Sequence, residues 1–526
     1  MKKIIYSISG LLAVASIISG CTKLDETVYD QVLQDRFHPT ENDIPSIIAP
    51  VYTTLRPMEA SWYGNFDLQE EPGDAIVTPA RPNGWYDGGV YQRLHKHEWN
   101  QTQGQPNQLW SLCYQGINYA NRVLFQIESG AVPLTNGKEA IIAELKVARA
   151  FYYYNLLDNH GNVPIVTDFK DATLPKQSTR QQVYDFVVKE FTDNIPLLSE
   201  KVDQTTYGRF NKWAAKSILA KVYLNAGVYT GTPQWDKCIE QCNDIIASNK
   251  YIIESLYKTS YKTDNQSSKE IVFAVPYDEI QATQMNIHMK TLDPVMQRVY
   301  SMSAQPWGGN CAVPQFIDTY DPDDTRMKDT WIMGPQYVAG TTTVAINFIE
   351  NVDGIALAGS NQGYRIGKYE IKTGSRGALS TDYPIERYAD ILMMKAECLL
   401  RQGQTAAAAT LVTQVRQRAF ASTAPAKATV TGADLQKGSS YNYGLWAGGR
   451  VSGSQGGADI QNGRFLDELG WEFAAEGRRR QDLIRFGVFT TKQWFNHTGS
   501  AANKTIFPIP ESEITKNGNL KQNPGY

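Results

Sequence analysis

The groups of this sequence best placed to act on another molecule are aromatic residues clustered with polar ones. The first cluster is Trp62, Tyr63, Asn65 and Asp67, then Asp74, then the run Asn83-Gly84-Trp85-Tyr86-Asp87-Gly88-Gly89. A second runs from Tyr300 to Trp307-Gly308-Gly309-Asn310, with Trp331 beyond it. A third, sparser set is Asn361, Gln362, Tyr364 and Arg365. Flat rings stack on sugar faces, while carboxylates, amides and guanidinium groups make paired hydrogen bonds to hydroxyls. Flanking glycines allow tight turns that present the rings outward. Trp85 is therefore the expected stacking platform, with Tyr86 and Trp62 beside it and Asp67 as polar partner. Trp307, Tyr300 and Arg365 are the expected contributions from the later clusters. The structural alternative is that these rings pack inward and the Trp85–Tyr86 turn only braces its loop.

No hydrolase constellation accompanies these clusters. Neither GxSxG nor HExxH occurs, and Gly363, Gly367-Lys368 and Tyr369 miss the phosphate-loop pattern in both spacing and hydroxyl. On a strand, His95 and His97 of His95-Lys96-His97-Glu98 would share a face as zinc ligands, but no third ligand is identifiable and a polar surface segment is expected. Asp321-Pro322-Asp323-Asp324-Thr325-Arg326 lacks the Gly and distal Glu of a calcium loop, which leaves an Asp-capped turn. Cys238 and Cys242, four apart on one face of an expected helix, read as buried free thiols. No metal, cofactor or catalytic residue is expected. A glycosidase needs only two carboxylates about 5–10 Å apart, so a glycan-degrading enzyme stays as one alternative. A peptide-binding or structural module is the other.

Composition narrows the partners. The 51 basic and 54 acidic residues leave a net charge of -3, so no basic field invites nucleic acid. Lys2 and Lys3 precede an apolar stretch, Ile4 to Ile18, which closes in Ile18-Ser19-Gly20-Cys21. This pattern is a lipoprotein signal peptide over 1–20 with lipid on Cys21. At roughly 0.8 kcal/mol per buried CH₂, several acyl chains hold such a chain on a membrane. Past Cys21 no apolar run approaches the ~18 residues of a spanning helix.

The elements that must position the aromatics read as helical hairpins of the tetratricopeptide type, where small residues let paired helices approach. The clearest joins Trp213–Gly227 to Trp235–Ala247. Others join Tyr388–Leu399 to Ala406–Ala419 and Glu144–Leu157 to Arg180–Leu198, and Leu109–Ile127 opens a fourth. Insertions at roughly 58–108, 250–385 and 421–465 carry the Gly, Pro, Asn and aromatic residues, with strand-like runs such as Ile271–Val275. The expected fold is mainly α: a tetratricopeptide-like helical hairpin scaffold with long irregular loop insertions and a few short strands, over 21–526 as a single domain.

Six blocks in order resemble the SusD/RagB outer-membrane lipoproteins of Bacteroidetes. They are Cys21-Thr22-Lys23-Leu24-Asp25-Glu26; Tyr114 to Leu124; Glu144 to Leu156 running into Gly161-Asn162-Val163-Pro164-Ile165; Arg387 to Glu397; Glu472 to Gly487; and Phe507 to Ile514 with the ending Gln522-Asn523-Pro524-Gly525-Tyr526. The resemblance implies glycan capture at the cell surface without chemistry, and a role as lid over a SusC-like TonB-dependent transporter. It also implies that the glycan site draws on aromatics of the first insertion. Some members of the wider family serve peptide uptake. The spacing of Glu472, Glu476, Arg479 and Asp482 predicts charge pairs along one helix face, and Arg478-Arg479-Arg480 an intramolecular network. Between Cys21 and the first helices, about thirty residues would tether the binding domain.

Overall fold

The computed structural model describes residues 39–526, so the expected leader, Cys21 and most of the expected tether lie outside the described residues. The main helices are α1 (Gly104–Glu128), α2 (Lys138–Asn159), α3 (Arg180–Asn194), α4 (Lys212–Leu224), α5 (Trp235–Ala247), α6 (Tyr388–Arg401) and α7 (Thr405–Phe420). Each packs on the next in a continuous layer, and the four expected hairpins are all present. Local chemistry starts them. Thr179 and Gln182 close a capping box on α3, and the Asn211 side chain accepts the backbone N–H groups of Trp213 and Ala214 at 3.0 and 2.9 Å to open α4. Small residues then set the spacing. Ala214, Ala215 and Ala220 on α4 are fully buried, and a β-carbon at Gly116 of α1 would overlap the Tyr152 ring of α2.

The long second insertion leaves and re-enters the scaffold at one place. Strand β1 (Ile271–Val275), expected from its apolar run, pairs antiparallel with β4 (Tyr383–Arg387), which runs directly into α6. Between them β2 (Gly334–Tyr337) and β3 (Val344–Phe348) form a separate hairpin. A small core of Met289, Leu292, Met296, Met302 and Phe348 lies against it, apart from the main core that extends from Ile44 to Leu520.

The C-terminal block departs from its expected form. Instead of one helix through 472–487 there are two, α8 (Gly463–Phe473) and α9 (Arg479–Arg485), separated by extended Ala474 and by Ala475 at φ +62°. The break breaks up the helix-face series of charge pairs. Arg478 and Arg485 still reach Asp482 locally, but the other groups turn to distant partners. Arg387 Nη1 meets Glu270 at 2.7 Å and Glu472 at 2.9 Å, and its Nε meets Glu476 at 2.8 Å. Arg479 pairs with Asp74 at 2.6 Å, Arg480 with Asp158 at 2.8 Å and Arg485 with Glu397 at 2.7 Å. Burial alone would raise the Glu476 carboxyl; Arg387 and Lys368 outweigh it and hold it at about 2.

Removing one member of such a buried cluster strands its partners. Arg387→Met is expected to lower unfolding stability by about 3–5 kcal/mol. Lys189→Ala, which opens the solvent-exposed pair with Asp193, should leave it close to the wild-type value. Denaturant titration of both variants distinguishes them, and similar small losses would refute the central role of Arg387.

Candidate functional site

Three tryptophans far apart in sequence converge on one surface. Trp62 sits in the turn before the short helix Asn65–Glu70, Trp85 in the turn before Val90–His95, and Trp307 in the loop after Met296–Tyr300. Trp62 and Trp307 lie edge to face at 4.7 Å between centroids, and Trp62 and Trp85 at 6.1 Å and 87°. Tyr91 stacks on Trp85 at 5.4 Å, and Tyr63 lies 5.6 Å from Trp62. Tyr91 is fully buried, while Trp62, Tyr63, Trp85 and Trp307 are each partly exposed. Tyr86 projects furthest at 50% exposure, its hydroxyl close over Gly89.

The polar residues expected at the surface lie beneath it. Asp67 is 0% exposed. One of its oxygens pairs with Lys290; the other accepts Tyr91 Oη at 3.2 Å and the Tyr63 backbone N–H at 3.1 Å. Its expected place as a direct sugar contact is corrected accordingly: it supports the rings from below. Arg365 is also fully buried, its guanidinium spent on the carbonyls of Gly309, Asn310 and Ser360 at 2.7–3.3 Å. Burial and the neighbouring Arg81 push it down to about 9. It too is removed from the surface set. Tyr300 is half-buried against the small core, which it shares with Trp307.

The Asp67–Lys290 ion pair joins the first insertion to the second. Lys290 lies on the short helix Ile287–Thr291, and its carbonyl accepts the N–H groups of Gly309 and Asn310 at 2.8 and 3.1 Å. The carbonyl of adjacent Met289 accepts Trp307 N–H at 2.9 Å. Arg81, from the first insertion, donates to the Gly309 carbonyl through Nε and Nη2 at 3.1 and 2.9 Å. Asn83 Nδ2 reaches the Trp307 carbonyl at 2.9 Å. Gly309 has to be glycine, since a β-carbon there would overlap the Trp85 ring.

Residues that the sequence reading left aside also fall here. Tyr91 is the buried base of the platform, and only the aromatic spacing after Trp85 hinted at it. Asp87, present in the first cluster but not selected, accepts Tyr63 Oη at 2.9 Å.

Elsewhere, His95 and His97 are buried, which corrects the expected surface segment. His97 lies 4.0 Å from His497 between ring centroids and bonds Ser500 Oγ and the Pro72 carbonyl, each at 2.9 Å. Burial pushes His95 down to about 3 and His497 to about 4. In the Asp321 loop, Lys427 Nζ bridges Asp321 and Asp323 at 2.8 and 2.7 Å, and Asp324 caps the following helix. Cys238 and Cys242 are free and buried. Among the described residues no group of three or more His, Cys, Asp or Glu is placed to hold a metal ion. No helix among them is long and apolar enough to cross a membrane.

Comparison with known proteins matches this architecture along nearly the whole chain. Residues 25–224 match a family described as starch-binding and associating with the outer membrane, and residues 269–526 match the SusD family. The chain belongs to the SusD/RagB family. The starch-binding protein SusD of Bacteroides thetaiotaomicron is 26% identical over 88% of this chain and 85% of its own length. SusD-like protein P25 of Formosa agariphila is 21% identical over 97% of each. A solved laminarin-binding SusD-like protein superposes with a TM-score of 0.71 at 21% identity, covering 93% of this chain and all of that one. NanU of B. fragilis gives 0.72 at 20% identity, over 94% and 99%.

Beneath the aromatic surface, burial holds the Glu71 carboxyl well above the usual carboxylate range. Burial and the neighbouring Asp67 push Glu71 up to about 8, although Thr78, Lys290 and Asn310 oppose this. A folded-state value above the unfolded 4.5 means that the carboxyl is held protonated in the fold, and the associated stability is lost as pH rises through about 8. Glu71→Gln mimics the protonated form. Its melting temperature relative to wild type should therefore increase between about pH 6 and pH 9. A gap independent of pH would contradict the assignment.

Proposed function

We propose that this protein is a cell-surface glycan-binding lipoprotein, held on the outer membrane by lipid on Cys21, that passes oligosaccharide to a SusC-like TonB-dependent transporter. The observation that carries the reading is the convergence of Trp62, Trp85 and Trp307 from two separate insertions into one partly exposed aromatic surface. Rings held edge to face leave faces in different orientations, so successive sugars meet apolar surface without one flat slab. The buried ion pair and arginine contacts below keep those rings in place before ligand arrives, which reduces the ordering that binding requires. The starch-binding and laminarin-binding names among its relatives agree with a sugar ligand. The lipobox and the acidic Asp25-Glu26 behind it support the anchor and its outward address.

Affinity electrophoresis against a panel of glycans tests the reading, with retardation by at least one expected. Trp85→Ala should abolish that retention with the helical circular dichroism unchanged, since the expected stacking face is lost while Trp85 itself lies outside the helices. Gly309→Ala, which removes no aromatic but forces the Trp85 ring aside, should weaken it several-fold. Retention unaffected by both substitutions would place the site elsewhere; no retention by any glycan would defeat the proposed function.

A further inference from the structure

At the rim of the aromatic surface two hydrogen-bond acceptors stand side by side. Tyr63 Oη donates its proton to Asp87 Oδ2 at 2.9 Å, and its oxygen, beside the Trp62 N–H, keeps a lone pair to accept a further hydrogen bond. Asp87 Oδ1 takes no hydrogen bond from the described residues, and the side chain is only half-buried. Both residues hold a left-handed backbone, Tyr63 at φ +60° and Asp87 at φ +47°. For a bulky residue such as Tyr63 this is a true outlier, of a kind that persists where a precise side-chain position is needed.

None of the nearby cations pairs with Asp87 among the described residues; each donates elsewhere. Lys290 is buried against Asp67, and Arg365 against main-chain carbonyls. Arg81 is spent on the carbonyls of Gly309, Gly359 and Gln362. Arg93 commits Nε to Gln103 at 3.1 Å and Nη1 to the Gly88 carbonyl at 2.9 Å.

On the reading of this surface as a glycan site, we infer that Asp87, with the Tyr63 hydroxyl, is its polar contact and restricts it to uncharged sugars. Adjacent hydroxyls of a neutral sugar stacked on Trp62 or Trp85 donate to Asp87 Oδ1 and Tyr63 Oη. A uronate or sulfate brings acceptors without protons and a second negative charge, so it meets an unpaired carboxylate. Asp87 thus takes the role that the sequence suggested for Asp67.

The test uses the purified full-length binding protein and two sets of polymers. The uncharged set is amylopectin, laminarin, inulin and xylan; the anionic set is polygalacturonate, alginate and chondroitin sulfate. Retention by an uncharged polymer is expected, at least about tenfold stronger than by any anionic one, the scale of one lost charge-assisted hydrogen bond. Asp87→Asn, whose amide offers a donor to anions, should narrow that ratio. Tyr63→Phe should weaken neutral binding several-fold, and Trp85→Ala should abolish retention by both sets. Stronger or equal retention by anionic polymers, or a ratio unchanged in Asp87→Asn, overturns the inference but leaves glycan binding intact. No retention by either set overturns both.

Discussion

Arg387 stands where three distant parts of the chain meet. Its guanidinium touches Glu270 at the start of the second insertion, Glu472 at the end of α8 and Glu476 in the turn after it, while its own backbone joins β4 to α6. Arg418 of α7 reaches the same Glu270 and Glu472, and Arg326 of the second insertion ties in Glu472 and Glu468. Charges buried this deeply are tolerated only when every one is paired, because the desolvation they suffer exceeds what a single partner returns. The cluster is therefore all or nothing. Given the C-terminal helices in place, the insertion between β1 and β4 is anchored at both ends; without them, Arg326, Arg387 and Arg418 would each lose carboxylate partners in the core.

The aromatic surface repeats the same device on a smaller scale. One buried ion pair, Asp67–Lys290, links two insertions that otherwise share little chain, and main-chain hydrogen bonds around Lys290 carry the constraint to Trp307. The rings exposed to solvent thus stand on a polar framework that is itself closed to solvent. This division of labour explains why the most acidic and basic residues of the neighbourhood are not the ones facing outward. Asp87, at the rim, keeps one oxygen uncommitted among the described residues.

The helical scaffold was legible residue by residue, since α4, α5, α6 and α7 appear where alanine spacing, caps and apolar periodicity predict them. Strand β1 was legible too, as a short apolar run in a polar context. Trp62, Trp85 and Trp307 stood out because rings beside glycines are a local signal, and the fold brings the three rings together. Asp67 and Arg365 were misplaced for a common reason. Whether a charged side chain faces water or pairs beneath the surface depends on a partner, and Lys290 and the Gly309 carbonyl lie 223 and 56 residues away. The break after α8 was equally hidden, because the spacing of Glu472, Glu476, Arg479 and Asp482 suits a continuous helix and only the distant partners overrule it.

Sequence alone determined the periodic elements, the family blocks and the residue types available for stacking, because these depend on neighbours a few positions apart. The expectation of a lipobox at Cys21 likewise rests on adjacent residues alone. Tertiary structure decided which insertions meet, which carboxylate is exposed and which arginines are spent inside. Those choices are settled by desolvation and pairing between segments hundreds of residues apart, and no local pattern encodes them.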